Sequence, residues 1–495
     1  TLAGAAAVLT VRYGGGFLLA LAGLGWRCWV RNLMVLVLCV LLFQGIWYGL
    51  QVLGERPRVR GRWPEIVLGL AGGAALLTLP FATRDGQGAS FEDALFTATS
   101  ATCVTGLVVH DTYTYWTPFG QGVILLLIQI GGMGVVTMAL AIFTITGRRI
   151  GLKQRVVMQE TIAAPHVGGM VRMVGFIVRG TLCVETAGAV LLALRFCPQF
   201  GVAKGVWFAV FHAVSAFCNA GFDLMGESGA FSSLTDYSAD PLVNLTIMGL
   251  ITVGGIGFLV WDDVLHHGLR FHHYRLQTKI VLVTSGLLVL LPALYLYFVE
   301  FSHPQWAGLS GGERVLAALF QSVTTRTAGF NTVDQTALSG PAVLLCILTM
   351  LVGGSPGSTA GGFKTTSLAV LALCVVAILK QRDSIQVFAR RFPPVVLRHA
   401  ATLITLYMGL FLAGGVMLCE WDGIPLSAAL YETASAIATV GLSMGVTPGL
   451  CLASHLVLVF LMYFGRVGCL TMLYAVAGGH HGPRGMLPEE KITVG

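Results

Sequence analysis

Long apolar stretches separated by short polar breaks run along the chain, at 33–53, 66–81, 123–145, 242–260, 280–299, 395–418 and 456–477. Most approach the ~20 residues that an α-helix needs to cross ~30 Å of hydrocarbon. None alternates residue by residue, as the strands of a membrane barrel would. Between them lie amphipathic stretches too short to cross, at 91–102, 204–217, 312–325 and 426–438. Each leads into a segment with no helical pattern: ATCVTGL (101–107), AFCNAGF (216–222), TTRTAGF (324–330) and AIATVGL (436–442). The pattern predicts an all-α polytopic membrane protein, repeatedly interrupted at membrane depth.

The interruptions are periodic. Their glycines, Gly106, Gly221, Gly329 and Gly441, are separated by 115, 108 and 112 residues. A glycine cluster follows in every copy, as GGMG (131–134), GGIG (254–257), GGSPG (353–357) and GRVG (465–468). Self-similarity at one period is the signature of a repeated structural unit. Here the unit is span, short helix, loop, span, and four such pseudo-symmetric units are expected around one central pore. The expected layout is 1–63 for extra N-terminal membrane segments and a basic linker, 64–155 for repeat 1, 156–275 for repeat 2, 276–391 for repeat 3, and 392–495 for repeat 4 with a tail.

Non-helical backbone is tolerated at membrane depth only when it is buried in protein or lines a water-filled cavity. Four equivalent loops around an axis can offer carbonyl oxygens that replace a cation's hydration shell. The expected ion-binding residues are Val104, Thr105 and Gly106, then Asn219, Ala220 and Gly221, then Thr327, Ala328 and Gly329, and finally Thr439, Val440 and Gly441. No carboxylate occurs among them, which favours a monovalent over a divalent ion. Each short helix would aim its partly negative C-terminal end at the cavity. Glu92, Asp93, Glu313 and Glu432 are read as lying near the opposite, partly positive ends.

Composition agrees: 55% of the 495 residues are hydrophobic and 11% charged, against about 25% charged in soluble domains. The net charge of +7 is a topology signal rather than a nucleic-acid patch. Basic clusters at Arg56–Arg62, Arg148–Arg155, Arg270–Lys279 and Lys380–Arg391 place those loops in the cytoplasm. Asp111, Asp223, Glu227, Asp236 and Asp240 then face outward. The 11 cysteines have no disulfide or zinc spacing, and the paired histidines 266–267, 272–273 and 480–481 read as solvated loop residues. The patch 17–24 before Arg27 and Arg31 lacks a clear cleavage site and does not read as a signal peptide. GGSPGSTAGG interrupts a span rather than joining a strand to a helix, so it is not a phosphate cradle. No catalytic constellation recurs, and the chain is not expected to be an enzyme.

SATCVTGL, HAVSAFCNAGFDL, SVTTRTAGFNT and ASAIATVGLS resemble the four filters of the Trk/Ktr/HKT potassium transporters, most of all the Ktr membrane subunit. VGGSPGSTAGGFKT (352–365) resembles that family's intramembrane gating loop, and PEEKITVG (488–495) resembles the Ktr C-terminus. Cys103 and Cys218 depart from the Thr or Asn expected in such filters. The extra segments before residue 64 are more like the Trk branch.

The resemblance implies potassium uptake across a bacterial plasma membrane by a homodimer, each protomer with its own pore, on a cytoplasmic ring of nucleotide-binding regulators. K+ is the implied permeating ion and Na+ a modulator, with no organic cofactor in this chain. A weakly selective Na+/K+ channel is the alternative. The implied gate comprises Gly353, Gly354, Ser355, Pro356, Gly357, Ser358, Thr359, Ala360, Gly361 and Gly362, with Arg466 beside the pore below the filter. That loop (353–363) is expected to break the second span of repeat 3 alone, with Lys364 anchoring its end. Intramembrane charges are functional candidates, against which stands a purely structural pairing for Arg466 and for Glu185. Arg326 is expected to bond local carbonyls and stiffen its loop.

Overall fold

The computed structural model describes residues 63–134, 170–382 and 384–468. The expectations for residues 1–62, for the basic cluster 148–155, for the span beyond 134, for His480 and His481, and for the ending 488–495 lie outside the described residues.

Three kinds of helix recur in order. The first kind is long in three of its four copies: α1 (Trp63–Leu77), α4 (Met170–Phe200), α8 (Leu276–Phe298) and α12 (Pro394–Asp422). The second kind is short and mostly buried: α2 (Phe91–Cys103), α5 (Val202–Cys218), α9 (Gly311–Thr324) and α13 (Leu426–Ala438). These bounds fall within two residues of the amphipathic stretches read from the sequence. The third kind follows the loops: α3 (Pro118–Met133), α6 (Pro241–Gly255) with α7 (Phe258–His267), α10 (Gly340–Leu351) with α11 (Thr365–Leu379), and α14 (Leu452–Val467). A two-stranded hairpin, β1 (Gln386–Val387) and β2 (Arg390–Arg391), connects α11 to α12. Among the described residues, Arg172–Phe200, Leu276–Ser302 and Pro394–Asp422 are long and apolar enough to cross a membrane.

Local chemistry sets these starts. The Ser90 and Ser310 side chains accept backbone N–H groups at the starts of α2 and α9, and Glu313 completes a capping box. Thr117 and Asp240 cap helices whose first residue is proline, where a missing N–H costs nothing. Glu92, Asp93 and Glu313 lie in first turns, as expected. Glu432 does not. It sits in the middle of α13, fully buried, and accepts from Ser443 Oγ at 2.6 Å, Met444 N at 2.9 Å and Thr447 Oγ1 at 2.8 Å. The apolar surroundings require those three donors, so its role is to brace the chain beyond the fourth loop rather than to complement a helix dipole.

A second correction concerns 242–260. The apolar run is not one straight span: α6 and α7 meet at an angle of 98°. Gly257 takes φ +97 at the bend, and a Cβ there would lie 2.8 Å from the carbonyl oxygen of Pro356. Phe258 N donates to Gly357 O at 2.9 Å, so the break in α6–α7 is made against the loop that breaks α10–α11. Two spans are interrupted, not one.

The packing closes on itself. Each long helix packs on the short helix that follows it: α1 on α2, α4 on α5, α8 on α9, α12 on α13. Each third helix packs on the next short helix along: α3 on α5, α6 on α9, α10 on α13, and α14 back on α2. A glycine makes three of the third helices fit their own short helices. A Cβ on Gly131, Gly254 or Gly465 would lie 2.1, 2.0 and 2.0 Å from the carbonyl oxygens of Thr102, Phe217 and Ile437, one turn before the loop glycine in each case. Three of the four periodic glycine clusters therefore mark where a third helix touches the end of a short one.

Candidate functional site

The short helices end in a common way. Val104, Asn219, Thr327 and Thr439 each stand two residues before their loop glycine and have φ between 54° and 66°. That left-handed residue turns the chain out of the helix axis. After α2, α5 and α13 the next N–H folds back: Thr105 N to Ser100 O (2.7 Å), Ala220 N to Ser215 O (2.8 Å) and Val440 N to Ser435 O (2.8 Å). The same serines hold the loops with their hydroxyls. Gly106 N donates to Ser100 Oγ and Gly441 N to Ser435 Oγ, both at 3.0 Å, and Ser215 Oγ donates to Phe222 O at 2.7 Å. Thr324 Oγ1 makes the matching bond to Phe330 O after α9. These anchors went unnoticed in the sequence, although a serine six residues before three of the glycines was there to find.

The four glycines converge. A Cβ on Gly106 would lie 2.4 Å from Ala220 O, one on Gly221 2.9 Å from Ala328 O, one on Gly329 2.5 Å from Val440 O, and one on Gly441 2.2 Å from Thr105 O. Each loop thus presses its glycine against the carbonyl of the next, and the fourth meets the first. All four glycines have positive φ, from 69° to 94°. The residues beside them, Thr105, Ala220, Ala328 and Val440, are fully buried. All twelve residues singled out from the sequence lie in these four loops.

Above the glycines opens a cavity of about 450 Å³ that all four line, together with Asp111, Asp223 and Asp334. Asp111 and Asp223 were expected on the outer side; Asp334 had been overlooked. Asp111 is held by Tyr113 N (3.1 Å), Thr114 N (2.7 Å) and Phe231 N (3.0 Å), which fixes its charge beside the opening. Burial pushes the Asp223 carboxyl up to about 7, and the Asp111 charge pushes in the same direction.

Cys103 and Cys218 end α2 and α5, but both are packed among buried apolar side chains. Cys218 Sγ fills the space that Gly132 leaves, 2.4 Å from where a Cβ would stand. Glu185 on α4 lies behind that cysteine, accepting from Gln129 Nε2 at 3.2 Å. Arg326 does not bond local carbonyls. It reaches Ser285 on α8, as described further below.

On the other side of the loops, 352–363 crosses between α10 and α11 with Val352 bridged to Phe363 and Gly353 N bonded to Phe363 O at 2.9 Å. Three of its polar groups reach the ends of α6 and α5: Ser355 N to Gly255 O (3.0 Å), Thr359 N to Gly254 O (3.3 Å) and Thr359 Oγ1 to Phe217 O (3.1 Å). Lys364 Nζ bonds Ala360 O at 2.8 Å, as an anchor should. Arg466 on α14 donates to Thr359 O and, across the structure, to Gly131 O and Gly132 O, the last at 3.2 Å. One guanidinium therefore ties three of the four third-helix positions together.

Many apolar helices with buried, non-helical loops at their centre define a multi-pass membrane protein. The chain belongs to the TrkH family of cation transport proteins, whose family model matches residues 72–481. These are transport proteins rather than enzymes. Among its relatives, the potassium/sodium uptake protein NtpJ of Enterococcus hirae is 36% identical over 453 residues, 89% of this chain and 99% of that one. The Ktr system potassium uptake protein B of Bacillus subtilis is 39% identical over 407 residues, 82% of this chain and 89% of that one. The fold matches the crystal structure of the potassium transporter TrkH from Vibrio parahaemolyticus with a TM-score of 0.64 at 21% identity, covering 90% of this chain and 94% of that one.

Proposed function

We propose that this chain is the potassium-conducting subunit of a Trk/Ktr-type uptake system, with four pseudo-symmetric repeats around one pore. The observation that supports it most is the closed succession of glycine-to-carbonyl approaches, 106 to 220, 221 to 328, 329 to 440 and 441 to 105. Backbone oxygens held in such a ring, with no carboxylate among the lining residues, suit a monovalent cation that sheds its water. The three aspartates of the outer cavity raise the local cation concentration before entry. Relatives named as potassium uptake proteins support the choice of ion.

The gate is the loop 353–362 together with Arg466. A positive charge bonded across the inner side of the path opposes cation passage, and release of Thr359 O and Gly131 O would withdraw it. Three relatives bear the name of a Ktr system, which supports a second component, here proposed as a nucleotide-binding ring under a homodimer. The name of the Enterococcus relative supports a second reading, a weakly selective Na+/K+ channel. Growth at low external potassium in cells stripped of their own uptake systems tests the proposal. Rescue is expected, and sodium flux as large as potassium flux in reconstituted vesicles would favour the second reading. No cation flux in reconstituted vesicles would overturn both.

A further inference from the structure

The third loop is one residue longer than the others. Ser100, Ser215 and Ser435 precede their glycines by six residues, whereas Ser322 precedes Gly329 by seven. The backbone registers the difference: α9 is followed by Thr325 in the right-handed region, and the left-handed turn is delayed to Thr327. Ser322 no longer serves its own loop and donates instead to Val289 O on α8 at 2.6 Å. The additional residue is accommodated at Arg326, whose side chain leaves the loop entirely.

Arg326 is 8% exposed and pairs with no carboxylate among the described residues. Its guanidinium donates to Ser285 Oγ at 3.1 Å and to Ser285 O at 3.5 Å, and Ser285 is itself 6% exposed on α8. A buried cation is retained only where fixed dipoles compensate it, and the C-terminal end of α9 supplies a second one. The next residue, Thr327, lies hydrogen-bond-close to the Asn219 side chain of the second loop, Oγ1 to the amide at 3.2 Å. No such side-chain bond joins the other neighbouring pairs at this position, where Val104 and Thr439 stand.

We propose that Arg326 and Ser285 form a strut that positions Thr327 against Asn219 and thereby sets the spacing of the ring on its third side, making them specificity-determining positioning residues for ion selection. This rests on the reading of the four loops as an ion filter. The strut ties the added residue to a membrane-crossing helix, so the third loop takes its position from α8 rather than from the end of its own short helix.

The test replaces Ser285 by alanine, which keeps the arginine charge and removes one of its two acceptors, and by threonine, which keeps the hydroxyl. Arg326→Lys, which keeps the charge and loses the planar fork, is the second route if Ser285→Ala does not yield folded protein. Potassium-over-sodium permeability ratios are measured from reversal potentials in vesicles of detergent-monodisperse protein. The ratio is expected to fall about tenfold in Ser285→Ala and Arg326→Lys, the scale of a lost hydrogen bond to a charged group, and to hold in Ser285→Thr. An unchanged ratio in Ser285→Ala, or an equal fall in Ser285→Thr, overturns the strut. Gly329→Ser measured alongside separates the two levels: if it too leaves the ratio unchanged, the filter reading itself fails.

Discussion

A serine in place of a loop glycine adds a Cβ where the next loop's carbonyl already stands, and it does so at positive φ. Strain of this kind costs about 1–3 kcal/mol per site, enough for about tenfold or more in ion discrimination. The clearances order the four sites: 2.2 Å at Gly441, 2.4 Å at Gly106, 2.5 Å at Gly329 and 2.9 Å at Gly221. Gly221→Ser is therefore expected to keep the most potassium preference and Gly441→Ser the least, measured as competing K+ and Na+ fluxes; an inverted order would contradict the geometry. At the cavity above, Asp223 with its carboxyl near 7 is ionised in alkaline medium and neutral in acid. Acidifying the outside thus removes one negative charge from the approach. A unit charge about 8 Å away across water is worth about 0.5 kcal/mol, so the half-saturating potassium concentration should rise about two- to threefold from pH 8 to pH 6. Asp223→Asn should start at the higher value and show no such rise.

Between the short helices and the third helices, contact is made by carbonyls and glycines, and this decides how the inner loop can move. Ser355 N and Thr359 N satisfy the carbonyls of Gly255 and Gly254 that the bend of α6–α7 leaves open. Removing 355–360 outright would strip α6 of its end bonds. A narrower change is preferable. Arg466→Gln removes the charge and its bonds to Thr359 O and Gly131 O, while Thr359→Val removes only the bond to Phe217 O. Potassium flux in vesicles holding this chain alone is expected to rise in both, about tenfold in the first and less in the second; wild-type flux in both would leave the loop a packing break. What was legible in the sequence at this scale follows from spacing. The four glycines, the short helices and the glycine clusters recur at one period, and each is fixed by its own neighbours in the chain. The bend at Gly257, the reach of Arg326 to α8 and the burial of Glu432 were not legible, because each depends on a partner from another part of the chain: Pro356, Ser285 and, more locally, the turn at Ser443.

For the molecule as a whole, the closing seam lies between α14 and α2. His455 Nδ1 meets Glu92 Oε1 at 2.9 Å, and its other nitrogen meets Thr447 O at 2.9 Å. His455→Leu should lower the melting temperature of the solubilised protein while leaving the second and third loops in place. Protection of amide hydrogens is the measurement: loss confined to α2 and α14 is expected, and uniform loss would mean the seam is not a separate unit. The residues that meet there are 363 positions apart in the chain. During synthesis, therefore, the first short helix waits for nearly the entire polypeptide to be made before its last neighbour arrives. Until then the carbonyl of Thr105 has no Gly441 beside it, and the proposed ring of loops is open on that side. If the four loops conduct as proposed, a chain truncated after its third set of helices is expected to carry no selective potassium current in vesicles.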